Sequence, residues 1–188
     1  MRTEIRLAGF GGQGIARAGY MLGKAVAVGD GNEAVFTQEY GPESRGGASA
    51  ANIVVSDEPI DEPFVALPDI LVAMYQAAFD KYAPKIAADA RVVIDSDLVE
   101  PHDLPEGAEV LTIPATRIAE ELGVKIAANV VMLGFLAAVA DDIVSAESLR
   151  DAVRGGVPAR VLDRNLEAFE RGHRHGFERD DRGGDGDA

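Results

Sequence analysis

No cysteine occurs in the 188 residues, which excludes disulfides, thiolate chemistry and cysteine-ligated iron–sulfur clusters from this chain. Histidine is scarce: His102, His173 and His175 are the only three. The last two flank Arg174 near the C-terminus, where too few other ligands lie nearby for a metal site, and a solvated segment is the reading there. No apolar run is long enough to span a bilayer. The start, Met1-Arg2-Thr3-Glu4, enters a strand directly and has no signal-peptide core, so a soluble, cytoplasmic protein is expected. Positive charge is also short. Lys and Arg number 18 against 32 Asp and Glu, a formal charge of −14. Such a surface repels nucleic acid and anionic membranes alike. Arg greatly outnumbers Lys, as a saline cytoplasm or a GC-rich genome would each produce. No Ser-His-Asp set, carboxylate dyad or metal cluster is legible, so as an isolated enzyme the chain is poorly equipped.

What remains suits one domain. An apolar fraction of 47% over this length supplies one sizeable core and falls short of two. Residues 1–176 read as that domain. Residues 177–188 read as an acidic tail, disordered from about Gly176, because charge and glycine leave little to bury.

The organising stretch is Gly9-Phe10-Gly11-Gly12-Gln13-Gly14. It follows an apolar strand, Glu4 to Phe10, and opens a helical pattern from Ile15 to about Val28, with Ile15, Ala18, Leu22, Ala25 and Val26 on one face. A strand running through glycines into a helix presents bare N–H groups at a positive helix end, which suits a phosphate or another anion. Gly9, Gly11 and Gly14 have the GxGxxG spacing of dinucleotide-binding turns. The acid expected to grip a ribose would be Glu39; a tight turn without ligand is the competing reading.

A second strand is expected at Ala34 to Thr37 and a third at Ser49 to Ser56. No helix fits between them, so a parallel pair is excluded and the sheet should be mixed. Between them lies Tyr40-Gly41-Pro42-Glu43-Ser44-Arg45-Gly46-Gly47. Pro42 stiffens it, its glycines permit unusual backbone angles, and Arg45 offers a fork suited to an anion or a partner's carboxylate. Asp57 to Pro68, with three prolines, reads as a surface loop. Strands are then expected at Asp69 to Met74, Arg91 to Asp95 and Val110 to Ile113, and helices at Gln76 to Ile86, Thr116 to Leu122, Ile126 to Ala140, Ser145 to Arg154 and Val157 to Phe169. Asp95 reads as a loop cap and Asn129 as a satisfied core amide. Gly29-Asp30-Gly31-Asn32 resembles the opening of a thiamine diphosphate motif, but it follows a helix and no Asn-Asn pair occurs anywhere. It reads as a helix C-terminal turn.

The pairing of Gly9-Phe-Gly-Gly-Gln-Gly14 with Tyr40-Gly-Pro-Glu-Ser-Arg-Gly-Gly47, followed by Asn129-Val-Val-Met-Leu-Gly134, resembles the gamma subunit of 2-oxoacid:ferredoxin oxidoreductases over about Arg2 to Ala140. The 2-oxoglutarate type is most similar, with the pyruvate and branched-chain types close and the indolepyruvate enzyme related. The resemblance implies an α/β fold, a three-layer α/β/α sandwich with a mixed central sheet. It implies alpha and beta partner subunits, with delta a further candidate. Thiamine diphosphate and Mg²⁺ would sit in the partners, iron–sulfur clusters would pass electrons to ferredoxin, and coenzyme A would receive the acyl group. No cofactor is expected in this chain alone. Gly9, Gly11, Gly12, Gln13 and Gly14, with Tyr40 through Gly47, are the residues expected at coenzyme A or at a subunit interface. The chain's acidity argues against its docking ferredoxin, which is usually acidic itself. An independent dinucleotide-binding protein and a ligand-free interaction module are the other readings of these residues.

Overall fold

The computed structural model describes residues 1–40 and 47–183. Six strands form one sheet: β1 (Arg2–Phe10), β2 (Glu33–Tyr40), β3 (Ala48–Ser56), β4 (Ile70–Ala73), β5 (Arg91–Asp95) and β6 (Glu109–Ile113), in spatial order β2-β3-β1-β4-β5-β6. β2 pairs antiparallel with β3, and β3 antiparallel with β1. From β1 onward β4, β5 and β6 all run parallel. The sheet is therefore mixed, and the strands joined without a helix form the antiparallel arm.

Six α-helices cover it: α1 (Ile15–Lys24), α2 (Gln76–Tyr82), α3 (Ala115–Glu121), α4 (Ala128–Val139), α5 (Ala146–Gly156) and α6 (Leu162–Gly183). Helices α1, α3, α4, α5 and α6 share a core with Ile5, Leu7, Ile53, Val55, Val72 and Val93 on one face of the sheet. On the other face α2 packs Phe79 and Tyr82 against Leu71, Ala73, Val92 and Ile94. The period-2 alternation of the strands supplies both faces, giving three layers of unequal thickness. The chain after β1 crosses to one face and the chain after β4 to the other. These adjacent parallel strands mark the place where crossovers change sides, and open α/β sheets carry their ligand crevice outside the strand ends at such a point.

Several boundaries differ from expectation for local reasons. The first helix does not run uniformly to Val28: Ala25–Gly29 is a π-helical turn, with Asp30 N–H donating to Ala25 O at 3.0 Å. Helix α2 stops at Tyr82, short of Ile86. Helix α6 continues to Gly183, so order extends beyond the Gly176 at which the composition predicted it to end. The reason is packing that charge content hides. Gly176 lies against Ala138 and Phe135. The His175 ring meets Phe135, and His173 stands between Phe169 and Phe177. Glycine also sets the approach of α4 and α6. A Cβ at Gly134 would lie 2.0 Å from Phe169 O, and one at Gly172 2.0 Å from Val131 O.

The Asp57-to-Pro68 segment is pinned rather than loose. From alternate positions on β1, Arg2 donates to Phe64 O, Arg6 donates to Val65 O, and the Glu4 carboxylate accepts from the amides of Ala66 and Leu67.

Candidate functional site

Both glycine-bearing stretches leave the sheet at the same edge. Gly9 pairs with Ser49, and Ser49 pairs with Tyr40 on its other side. Beyond the strands, Gly11 N–H donates to Gly47 O at 3.3 Å, so the first turn meets the end of the second stretch. Gly41, Pro42, Glu43, Ser44, Arg45 and Gly46 lie outside the described residues.

The first turn is closed by Gln13 N–H donating to Phe10 O at 3.0 Å. Gly12 has φ +115° and Gly14 has φ +73°, backbone angles that favour glycine. Gly9 is required for space instead: a Cβ there would stand 2.5 Å from Gln13 Oε1 and 2.6 Å from Ile15 Cδ1.

Gln13 is held by the protein itself. Its Oε1 accepts from Phe10 N–H at 2.6 Å, and its Nε2 donates to Met74 O at 2.8 Å. The side chain thus spans the carboxyl ends of β1 and β4, across the crossover point. A polar residue beside a glycine turn invites a ligand role, but both ends of this amide are engaged internally. Gly14 O accepts from Ala18 N–H at 2.9 Å and from Asn129 Nδ2 at 3.1 Å. With Gly14 as N-cap, α1 has no side-chain cap. Among the described residues no acceptor meets the amides of Gly12, Gly14, Ile15 or Ala16. The turn is braced by two side-chain amides while its remaining N–H groups meet no acceptor among the described residues. Beside it the half-exposed rings of Phe10 and Tyr75 stand 5.4 Å apart.

Glu39 is not placed to grip a ribose. Its carboxylate accepts from Asn52 Nδ2 at 3.0 Å and from the Tyr82 hydroxyl at 3.3 Å, with the buried Arg6 guanidinium 3.8 Å away. Arg6 in turn donates to Asn52 Oδ1 at 2.7 Å and lies over the Tyr82 ring. These bonds compensate a buried cation, and they remove the acid on which the dinucleotide reading depends.

Asp95 is fully buried at the end of β5. It accepts from Thr116 N–H at 3.0 Å, Thr116 Oγ1 at 2.6 Å and Asp97 N–H at 3.2 Å. Burial pushes its carboxyl above the usual carboxylate range, against these hydrogen bonds. It caps α3. Asp30 holds the N-cap of α5, accepting from Ser145 N–H and from the hydroxyls of Ser145 and Ser148, while Ser145 Oγ accepts from Ser148 N–H. That use of Asp30 withdraws the one carboxylate of the thiamine-like Gly-Asp-Gly-Asn sequence from any metal. Among the described residues no group of His, Asp or Glu could hold a metal ion, and there is no cysteine. The carboxylates and imidazoles of the described residues therefore do not form an Mg²⁺ ligand set, and the chain has no thiolate to ligate an iron–sulfur cluster.

Asn129 is the satisfied core amide that the sequence indicated, and its partner, Gly14 O, is what the sequence did not show. Its signal was a lone amide inside an otherwise apolar helix, which marks a required partner without saying which.

The family model for pyruvate ferredoxin/flavodoxin oxidoreductase matches residues 4–175. A 2-oxoglutarate synthase subunit, KorC, of Methanocaldococcus jannaschii is 51% identical over 92% of this chain and 93% of its own length. Among solved structures, the gamma subunit of a keto/oxoacid ferredoxin oxidoreductase from Geobacter sulfurreducens superposes with a TM-score of 0.84 at 36% identity, covering 95% of this chain and 98% of that one. The 2-oxoglutarate:ferredoxin oxidoreductase of Magnetococcus marinus, solved with 2-oxoglutarate, coenzyme A and succinyl-CoA bound, gives the same TM-score at 28% identity. The likeness covers 94% of this chain but 31% of that polypeptide.

Proposed function

The chain belongs to the pyruvate ferredoxin/flavodoxin oxidoreductase family, and from that premise we propose that it is the gamma subunit of a cytoplasmic 2-oxoglutarate:ferredoxin oxidoreductase. In that assembly 2-oxoglutarate is decarboxylated, coenzyme A takes the succinyl group, and ferredoxin takes the electrons. Alpha and beta subunits, with delta where present, carry the thiamine diphosphate, Mg²⁺ and iron–sulfur chemistry. This chain contributes a shaped surface. The M. marinus polypeptide, about three times as long as the matched region, supports a domain that works against a large neighbour.

One observation carries the assignment of a site: the bond from Gly11 N–H to Gly47 O. It joins the first glycine turn to the last residue of the second stretch, at the strand ends where the sheet changes crossover side, beside a helix N-terminus that no side chain among the described residues caps. Free amides there suit a phosphate of coenzyme A or a partner's carboxylate. Arg45, in the second stretch, adds a guanidinium for the same anion.

The test is co-expression with the candidate partner subunits, pull-down, and assay with 2-oxoglutarate against pyruvate. The expected result is a heteromeric complex that prefers 2-oxoglutarate. In that complex Arg45→Ala raises the KM for coenzyme A or loosens assembly. Unchanged kinetics and assembly would remove Arg45 from the site, and a preference for pyruvate would overturn the substrate.

A further inference from the structure

We infer that Asn129 is a positioning residue for coenzyme A binding, acting through the carbonyl of Gly14; the inference rests on the reading that the first glycine turn meets coenzyme A. Residues 128 to 137 of α4 are all buried, and Asn129 is the polar one among them, 5% exposed. A buried amide without a partner is costly. Here Nδ2 donates across the fold to Gly14 O at 3.1 Å.

The same carbonyl accepts the first intrahelical bond of α1, from Ala18. Two donors from different elements thus fix one oxygen. The peptide between Gly14 and Ile15 is planar and trans, so a carbonyl fixed on one side aims the Ile15 N–H to the other. That N–H is one of the amides of the turn that meet no acceptor among the described residues. Asn129 thereby sets the direction of a donor it does not touch. It also explains why residue 14 is glycine on two counts. The φ of +73° disfavours a side chain, and a Cβ would lie 2.5 Å from Asn129 Nδ2.

Asn129→Leu in the assembled complex is the test, because leucine has a similar shape and suits an apolar helix while removing the donor. The KM for coenzyme A is expected to rise about tenfold, the effect of one buried hydrogen bond lost. The kcat is expected to change by less than about twofold, since uniform binding is what has been removed. Val131→Ala, fully buried in the same helix, lowers stability and leaves that KM alone. If the leucine variant does not assemble, Asn129→Asp removes the same donor in the same shape and is expected to raise KM likewise. Ala16→Asp separates the two layers of the argument, placing a carboxylate in the first turn of α1 on ordinary helical backbone at a partly exposed position. A raised KM in Ala16→Asp with none in either Asn129 variant overturns the positioning role alone. An unchanged KM in all three takes coenzyme A off the turn altogether.

Discussion

Helices α1 and α3 each begin immediately beyond the carboxyl end of a strand, and their first turns are finished in opposite ways. At α3, Asp95 reaches over from β5 to accept from Thr116, and Asp97 accepts from the Arg117 amide. The helix end is closed by the protein's own carboxylates. At α1 no acid among the described residues supplies an acceptor. The side chains that do reach the turn, Gln13 and Asn129, bind Phe10 N–H and the carbonyls of Met74 and Gly14, not the outward amides. Position in the fold therefore does not decide which helix end is available to a ligand. What decides it is whether a neighbouring strand supplies a carboxylate.

The largest expected effect comes from breaking the closed end. Asp95→Ala leaves Thr116 N–H and Oγ1 without their acceptor and is expected to cost about 2–3 kcal/mol of stability, read as a shift in urea midpoint. Complexes that still assemble should keep their KM for coenzyme A, because the lost cap belongs to the helix end that the protein's own carboxylates close. A raised KM would mean that the two ends are coupled.

Loosening the open end is expected to do less to stability and more to function. Gln13→Ala removes the brace between β1 and β4 and should cost about 1–2 kcal/mol. It should also raise the KM for coenzyme A as the turn loses its fixed shape. Loss of stability without any change in KM would make the brace purely architectural.

The smallest effect is a slope. Burial raises the Asp95 carboxyl above its ordinary value, so the folded protein holds that proton to higher pH than the unfolded chain. The resulting contribution is present in full below the ordinary carboxylate pKa and is lost as pH rises through the elevated one. Asp142 has the opposite slope, because its hydrogen bonds to Arg91 hold its carboxyl below the usual range. The difference in stability between the protein and Asp95→Asn, measured across that pH window, isolates the first. It should decline with rising pH; a flat difference would mean that the three hydrogen bonds cancel burial, and a rise that they outweigh it.

Much of this contrast was legible in the residues. The lack of a helix between β2 and β3 required an antiparallel pair, and the glycines marked the turn. Asp95 at the end of a β-branched run read as a cap, which it is. The spatial partners were not legible. Periodicity says that residue 129 faces a core; it does not say that Gly14, at the head of another helix, lies opposite. Nor does it show that Glu39 is spent on Asn52 and Tyr82, since those contacts depend on register and on α2. The extension of α6 was missed because a charged, glycine-bearing segment looks unable to bury anything, when in fact glycine is what lets it sit against α4.

That glycine contact reaches further than the two helices. Where backbone touches backbone, as at Gly134 and Gly172, sliding by one position would drive a side chain into a carbonyl. The seam therefore works as a fixed gauge for the register of α4 against α6. A chain shortened or remodelled near its C-terminal end would shift that gauge, and the error would surface at the opposite end of α4, at an amide whose aim depends on it.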